Sequence, residues 1–155
     1  MSKALWGLDK LDLFKGLNAM EMREVAKIVS KVRFARGETI MEETNSREVF
    51  VLIDGEVDII SQSGVPLYRI SKNEIFGELA LVPVIRRTAR AISKEDSWLL
   101  VMNVNHLEKL GEEYPTVQLT VTGNIIQSLG IKLARANKLI ELLKTELAKA
   151  LKPRE

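Results

Sequence analysis

Hydrophobic and polar positions follow three periods along this chain. Up to about residue 30 the apolar residues have helical spacing. Leu11, Phe14 and Leu17 lead into NAMEMREVAKIVSKV, where Met22, Val25, Ile28 and Val32 recur in steps of three and four. Asn18 followed by Glu21 has the form of a capping box, in which each side chain accepts from the other residue's backbone N–H at a helix start. From about residue 31 the period drops to two. VRFA, ETIM, EVFVLI, EVDIIS, PLYRI, TARAIS and SWLLVM are short runs rich in Val, Ile, Phe and Tyr, separated by Arg36-Gly37, Thr44-Asn45-Ser46, Asp54-Gly55, Ser63-Gly64 and Lys72-Asn73. Asp54-Gly55 between two apolar runs predicts a hairpin. Many short strands at regular intervals predict a mainly β, α+β fold: an eight-stranded antiparallel jelly-roll barrel with N-terminal helices and a long C-terminal helix.

Helix returns after Asn105, where Asn105 and Glu108 form a second capping-box pattern and put His106 in a first, exposed turn. Between Pro115 and Pro153 there is no proline, and Ile126, Leu129, Leu133, Ala136, Ile140, Leu143, Leu147 and Ala150 form a heptad seam. Ile125, Ile131, Leu139, Leu142 and Leu151 lie off that seam. One narrow contact cannot cover such a helix, so the pattern predicts packing on its own barrel along one side and on a second copy along another. Gly130 is the weak point of the run, where a bend is expected. The chain thus divides into an N-terminal helical segment (1–30), a β-barrel (31–104) and C-terminal helices (105–155).

Composition narrows the function more than the fold. The 155 residues are 46% hydrophobic and 28% charged, enough apolar material for one ordinary globular core. A net charge of +2 argues for no nucleic-acid or membrane partner. The Lys/Arg excess after Asn124 reads as a solvated helix face with cations near its C-terminus. There is no cysteine, which excludes disulfides, thiolate metal sites and cysteine nucleophiles and fits a reducing compartment. The single histidine supports neither a catalytic triad nor a multi-histidine metal site. No apolar run reaches transmembrane length and the N-terminus lacks a signal-peptide core, so the expected location is cytoplasmic.

Chemistry concentrates in FGELALVPVIRRTAR, residues 76–90. Gly77 allows a ligand to approach the backbone closely, and a helical turn starting there aims free N–H groups at one spot, a ready anion site. Arg87 can set a planar guanidinium beside the same spot and bind two phosphate oxygens with charge-assisted bonds. Thr88 and Ala89 add backbone N–H groups and one hydroxyl. Glu78 would repel a phosphate, so it makes sense as an acceptor for a neutral donor such as a sugar hydroxyl. Phosphate and ribose in one small ligand point to a nucleotide, and the absence of a P-loop or GxGxxG turn disfavours a triphosphate or dinucleotide. The alternative from the residues alone is an internal Glu78–Arg87 ion pair across an empty pocket.

With these residues in view, the chain resembles the cyclic nucleotide-binding domain family, which includes the cAMP receptor protein and the regulatory subunits of protein kinase A. The resemblance runs from about Leu13 to Leu143 and rests on LFKGL, RGETI with Gly37, FVLIDGEV with Gly55, and the phosphate-binding cassette at 76–90, in that order and spacing. It implies that Glu78 holds the ribose 2′-hydroxyl with backbone help from Gly77. It further implies that the amides of Leu79 and Ala80 meet the cyclic phosphate, and that Arg87 pairs with its exocyclic oxygens, followed by Thr88 and Ala89. The C-terminal helix would be a lid over the base that moves on binding. The ligand implied is cAMP, favoured over cGMP, with no cofactor and no metal, and the protein implied is a sensor rather than an enzyme, a homodimer through its C-terminal helix that acts on an unknown downstream protein.

The chain departs from the family pattern at several points. Thr44 stands where a second glycine is expected, Arg86 where proline is frequent, and Arg90 directly after Ala89; Asn73 is the residue best suited to a left-handed turn before Phe76. Two further readings therefore stay open. One is a ligand-free domain of the same fold acting as a dimeric adaptor. The other is a piece of a transcription regulator, since no helix-turn-helix follows the long helix.

Overall fold

A computed structural model describes residues 7–42, 46–82 and 87–153. Thr44 and Arg86, two of the departures noted above, lie outside the described residues. Two single turns of 3-10 helix, at Leu8–Lys10 and Asp12–Phe14, precede α1 (Ala19–Ala26). The expected capping box is present: the Asn18 side chain accepts from the Glu21 N–H at 2.8 Å, and Glu21 accepts from the Asn18 N–H at 3.0 Å.

The helical period extends to Val32 in the sequence, but α1 stops at Ala26 and β1 (Val29–Phe34) takes over. Tertiary pairing decides this. Six consecutive residues of β1, from Val29 to Phe34, pair with β8 (Ser97–Asn103), and β-branched Ile28, Val29 and Val32 favour the extended form.

The other strands are β2 (Thr39–Met41), β3 (Glu48–Asp54), β4 (Val57–Ser61), β5 (Pro66–Ile70), β6 (Ile75–Phe76) and β7 (Ala89–Ser93). The eight strands are antiparallel and form two four-stranded sheets, ordered β1-β8-β3-β6 and β2-β7-β4-β5. This is a jelly-roll arrangement, but the closed barrel expected from the sequence is not formed. Among the described residues no strand of one sheet pairs with a strand of the other. β2 and β6, of three and two residues, are too short to carry pairing around a barrel.

Asp54-Gly55 also departs from expectation. It does not close a hairpin, because β3 and β4 belong to different sheets and the turn carries the chain between them. Gly55 adopts φ 110°, and a Cβ there would lie 2.3 Å from Ser97 Oγ and 2.6 Å from Ser97 Cα. The glycine answers to close approach of β8 rather than to a tight two-strand loop.

Sheet β1-β8-β3-β6 is covered on both faces, which explains the unbroken apolar run of β3. Val49 and Val51 join the helix-side core with Leu13, Phe14, Met22, Val25, Leu107, Val117, Val121 and Ile125. Phe50 and Leu52 point the other way, into the core between the sheets with Ile40, Val57, Ile59, Phe76, Ala91 and Leu99. The Phe50 and Phe76 rings stack there with centroids 5.2 Å apart. Ala91 and Leu99 are fully buried in it.

α2 (Val104–Glu113) starts two residues earlier than the sequence suggests. Its N-cap is Asn103, whose side chain accepts from the Asn105 N–H at 2.8 Å. Asn105 and Glu108 instead receive Arg47, whose guanidinium also donates to the Ala80 carbonyl at 3.0 Å. His106 is exposed in the first turn of α2, as read from the sequence.

α3 runs unbroken from Pro115 to Ala150, through Gly130. Only its first part packs on the domain, through Val117, Val121 and Ile125. Beyond Arg135 every residue of the helix is exposed, so Leu139 and Leu142 find no cover on their own domain, contrary to expectation. No helix of the described residues is long and apolar enough to cross a membrane.

Candidate ligand-binding site

The stretch singled out in the sequence becomes β6, a 3-10 turn at Glu78–Leu81 and the start of β7. Gly77 caps the turn with φ 81°, in the left-handed region. A Cβ there would sit 3.0 Å from the Glu48 carbonyl oxygen and 3.2 Å from the Phe50 ring, so both conformation and space call for glycine.

A cavity of about 190 Å³ opens beside this turn. Six of the seven predicted residues line it: Gly77, Glu78, Leu79, Arg87, Thr88 and Ala89. Met41, Ile59, Leu67, Tyr68 and Phe76 supply an apolar wall. The exception is Ala80. Its side chain is buried in the helix-side core, its N–H donates to the Gly77 carbonyl at 3.1 Å and its carbonyl accepts from Arg47. The 3-10 turn closes its own hydrogen bond at that residue, so the amide expected to face a phosphate is already engaged. The Leu79 N–H bonds no described residue.

Arg87 is 4% exposed. One Nη2–H donates to the Glu48 carbonyl, and the guanidinium lies over the Phe50 ring at 5.7 Å. Its Nε is buried without a partner, the one such side-chain atom among the described residues. Burial pushes the guanidinium pKa down, opposed by the nearby Glu48 and Glu78 carboxylates. A charged donor buried beside a cavity, with capacity unused, is costly unless something outside the protein completes it.

Glu78 is also buried, but it does not pair with Arg87. Lys132 of α3 donates to Glu78 Oε1 and to the Ile75 carbonyl, and lies 3.6 Å from Glu74. The internal Glu78–Arg87 pair weighed from the sequence is therefore not formed. Tyr68, half-buried on β5, has its hydroxyl pKa pushed up to about 12, first by burial and then by Glu78 and Glu74. Asn73 adopts φ 67°, the left-handed position expected of it.

Sequence reasoning missed Lys132 and Tyr68. For Lys132 a signal existed: Val117, Val121, Ile125 and Ser128 step by four, four and three, and Lys132 follows four residues later on the same helix face.

A family model for the cyclic nucleotide-binding domain matches residues 31–114, more than half of the chain. The chain belongs to this family. This cyclic nucleotide-binding domain is 29% identical over 92 residues to the cAMP-dependent protein kinase regulatory subunit of Aspergillus niger, covering 57% of the chain and 22% of that protein. It is 24% identical over 139 residues to the lysophospholipase NTE1 of Kluyveromyces lactis, covering 83% of the chain and 10% of that enzyme. The chain thus spans 22% of the kinase subunit's length and 10% of the lysophospholipase's, and what the lysophospholipase shares is the domain alone. Among solved structures, a cyclic nucleotide-binding domain from Methylobacillus flagellatus superposes with a TM-score of 0.75 at 18% identity, covering 95% of this chain and 82% of that one. At that identity the likeness speaks for the fold. The domain of this family is regulatory rather than catalytic.

Proposed function

We propose that the cavity binds a cyclic nucleotide and that the protein is a non-enzymatic sensor. The observation that carries this reading is Arg87: a buried guanidinium with an unpartnered Nε at the wall of a cavity that Glu78 and Leu79 also line, the Leu79 N–H bonding no described residue. The cyclic phosphate takes Arg87, the Leu79 N–H and the Thr88 and Ala89 edge. The ribose 2′-hydroxyl takes Glu78, and the base lies along Tyr68, Leu67 and Ile59. A monoanionic phosphodiester matches one guanidinium, and charge-assisted bonds repay the cost of burying it.

cAMP is the preferred ligand of this reading over cGMP, in keeping with the kinase regulatory subunit whose name specifies cAMP. Its output is a shift of α3. The helix carries an exposed seam, with Ile126, Leu133, Ile140, Leu143 and Leu147 each at least half exposed, which suits a homodimer in the cytoplasm. The adaptor reading is kept for that same seam, which needs no nucleotide.

Isothermal titration of the purified protein with cAMP and with cGMP tests the proposal. Saturable binding of cAMP, tighter than cGMP, is expected, and no heat with either at high-micromolar protein would sink it. Sedimentation with and without nucleotide separates the readings, because an adaptor keeps the same association state and stability in both.

A further inference from the structure

Glu78 lines the 190 Å³ cavity together with Arg87. Its partner Lys132 does not line that cavity; with Ser128 and Glu74 it lines a second, open hollow of about 330 Å³. Glu78 and Lys132 thus link the ligand cavity to α3.

The contacts of the two side chains are asymmetric. Lys132 Nζ donates to Glu78 Oε1, and the Ser128 hydroxyl stands 3.5 Å from the same oxygen. Glu78 Oε2 has no donor among the described residues. The Glu78 and Lys132 side chains are 8% and 15% exposed, so each is the other's main compensation for leaving water. The ammonium is held in turn by the Ile75 carbonyl and Glu74, and sits 5.9 Å from the centre of the Tyr68 ring. A lysine this restrained on one oxygen of a carboxylate fixes where the other oxygen points.

We propose that Lys132 is a positioning residue for the ligand's sugar. It grips Glu78 by one oxygen so that the other is left to accept the 2′-hydroxyl. It also neutralises a carboxylate that would otherwise face the ligand's phosphate uncompensated. Because Lys132 belongs to α3, the grip makes the helix part of the sugar-binding apparatus. This inference rests on the cyclic-nucleotide reading of the cavity.

The test is the ratio of affinities for cAMP and 2′-deoxy-cAMP, which differ only in the hydroxyl that Glu78 would accept. Both are titrated into the wild-type protein, Lys132→Met and Lys132→Arg, with thermal denaturation alongside. A hydrogen bond to a charged group is worth about 1.5–3 kcal/mol, so Lys132→Met should weaken cAMP binding by roughly 10–100-fold. 2′-Deoxy-cAMP should lose much less, so the preference for the hydroxyl shrinks several-fold, and Lys132→Arg should recover most of it. If Lys132→Met does not fold, Lys132→Gln, which keeps a donor without the charge, is read in the same way and its preference should also shrink. Equal losses for the two nucleotides overturn the proposal, since a purely structural lysine would give that result. Unchanged or tighter cAMP binding also overturns it, and makes Lys132 a competitor of the ligand. Absence of binding by the wild-type protein overturns the nucleotide reading itself, and is seen before any substitution is made.

Discussion

Replacing Arg87 by methionine separates what this side chain does for the fold from what it does for a ligand. Methionine keeps most of the apolar volume against Phe50 and removes the charge. In the ligand-free protein the terms oppose one another. Lost are the bond to the Glu48 carbonyl, about 1.5–3 kcal/mol, and a cation–π contact over Phe50 of about 0.5–2 kcal/mol. Relieved are the unpartnered buried Nε, about 1–3 kcal/mol, and a desolvation penalty of several kcal/mol. The two sides nearly cancel, with a lean toward stabilisation. At roughly 2–4 °C per kcal/mol for a chain of this size, Tm should stay within about 4 °C of wild type or rise. Binding has no such cancellation. Two charge-assisted bonds to the phosphate are lost at about 1.5–3 kcal/mol each, so affinity should fall by at least two orders of magnitude. Differential scanning calorimetry and isothermal titration on the same preparation read both quantities. A Tm drop beyond about 8 °C would show that the guanidinium is a structural tie, and unchanged affinity would show that the phosphate lies elsewhere; either refutes the reasoning.

Other expectations concern the frame around the site. Gly55→Ala combines strain at φ 110° with a Cβ only 2.6 Å from backbone of β8, so a loss of about 3 kcal/mol or more and a Tm lower by roughly 6–12 °C are expected by calorimetry. Ile140→Glu with Leu143→Glu places charge on the exposed seam; sedimentation should show a monomer with unchanged domain Tm, and a persisting dimer would move the interface off α3. The hydrogen bond from Arg69 holds the Asp58 carboxyl below its ordinary range, chiefly against burial, which acts the other way. A depressed folded-state pKa stabilises above the unfolded pKa, near 4, and that stabilisation is lost as pH falls through the folded value. Asp58→Asn should therefore lose less stability than wild type between pH 7 and pH 3 in parallel denaturation curves, and parallel losses would remove Asp58 from the acid response.

What could be read from the sequence was what local chemistry decides. The Asn18–Glu21 box and the left-handed Asn73 each depend on residues a few positions apart and stand as expected, and α3 is one continuous helix, through Gly130 where a bend was expected. The cassette was legible for the same reason, because glycine, carboxylate and arginine lie within eleven residues of one another. What failed depends on partners distant in sequence. Asp54-Gly55 looks like a hairpin until Ser97 and the second sheet are in place. Asn105 lost its capping role because Arg47, 58 residues away, takes its side chain. Ile28 and Val32 fit a helix by spacing, yet the β8 register claims the segment from Val29 onward. The engaged amide of Ala80 was not legible either, since a 3-10 turn closes one residue sooner than an α-turn.

The reach of α3 has a mechanical meaning. Its last hydrogen-bonded tie to the domain among the described residues is Lys132, and the helix continues to Ala150, 18 residues further and about 27 Å at 1.5 Å per residue. Pivoting there by about 10° would carry the far end through roughly 5 Å, the pitch of one helical turn. If α3 pivots there, a small displacement at the carboxylate is enlarged into a sideways sweep of the exposed seam at the tip. The domain thus has the proportions of a lever with a short input arm and a long output arm, and the residue at its fulcrum is an ion pair rather than a hydrophobic contact.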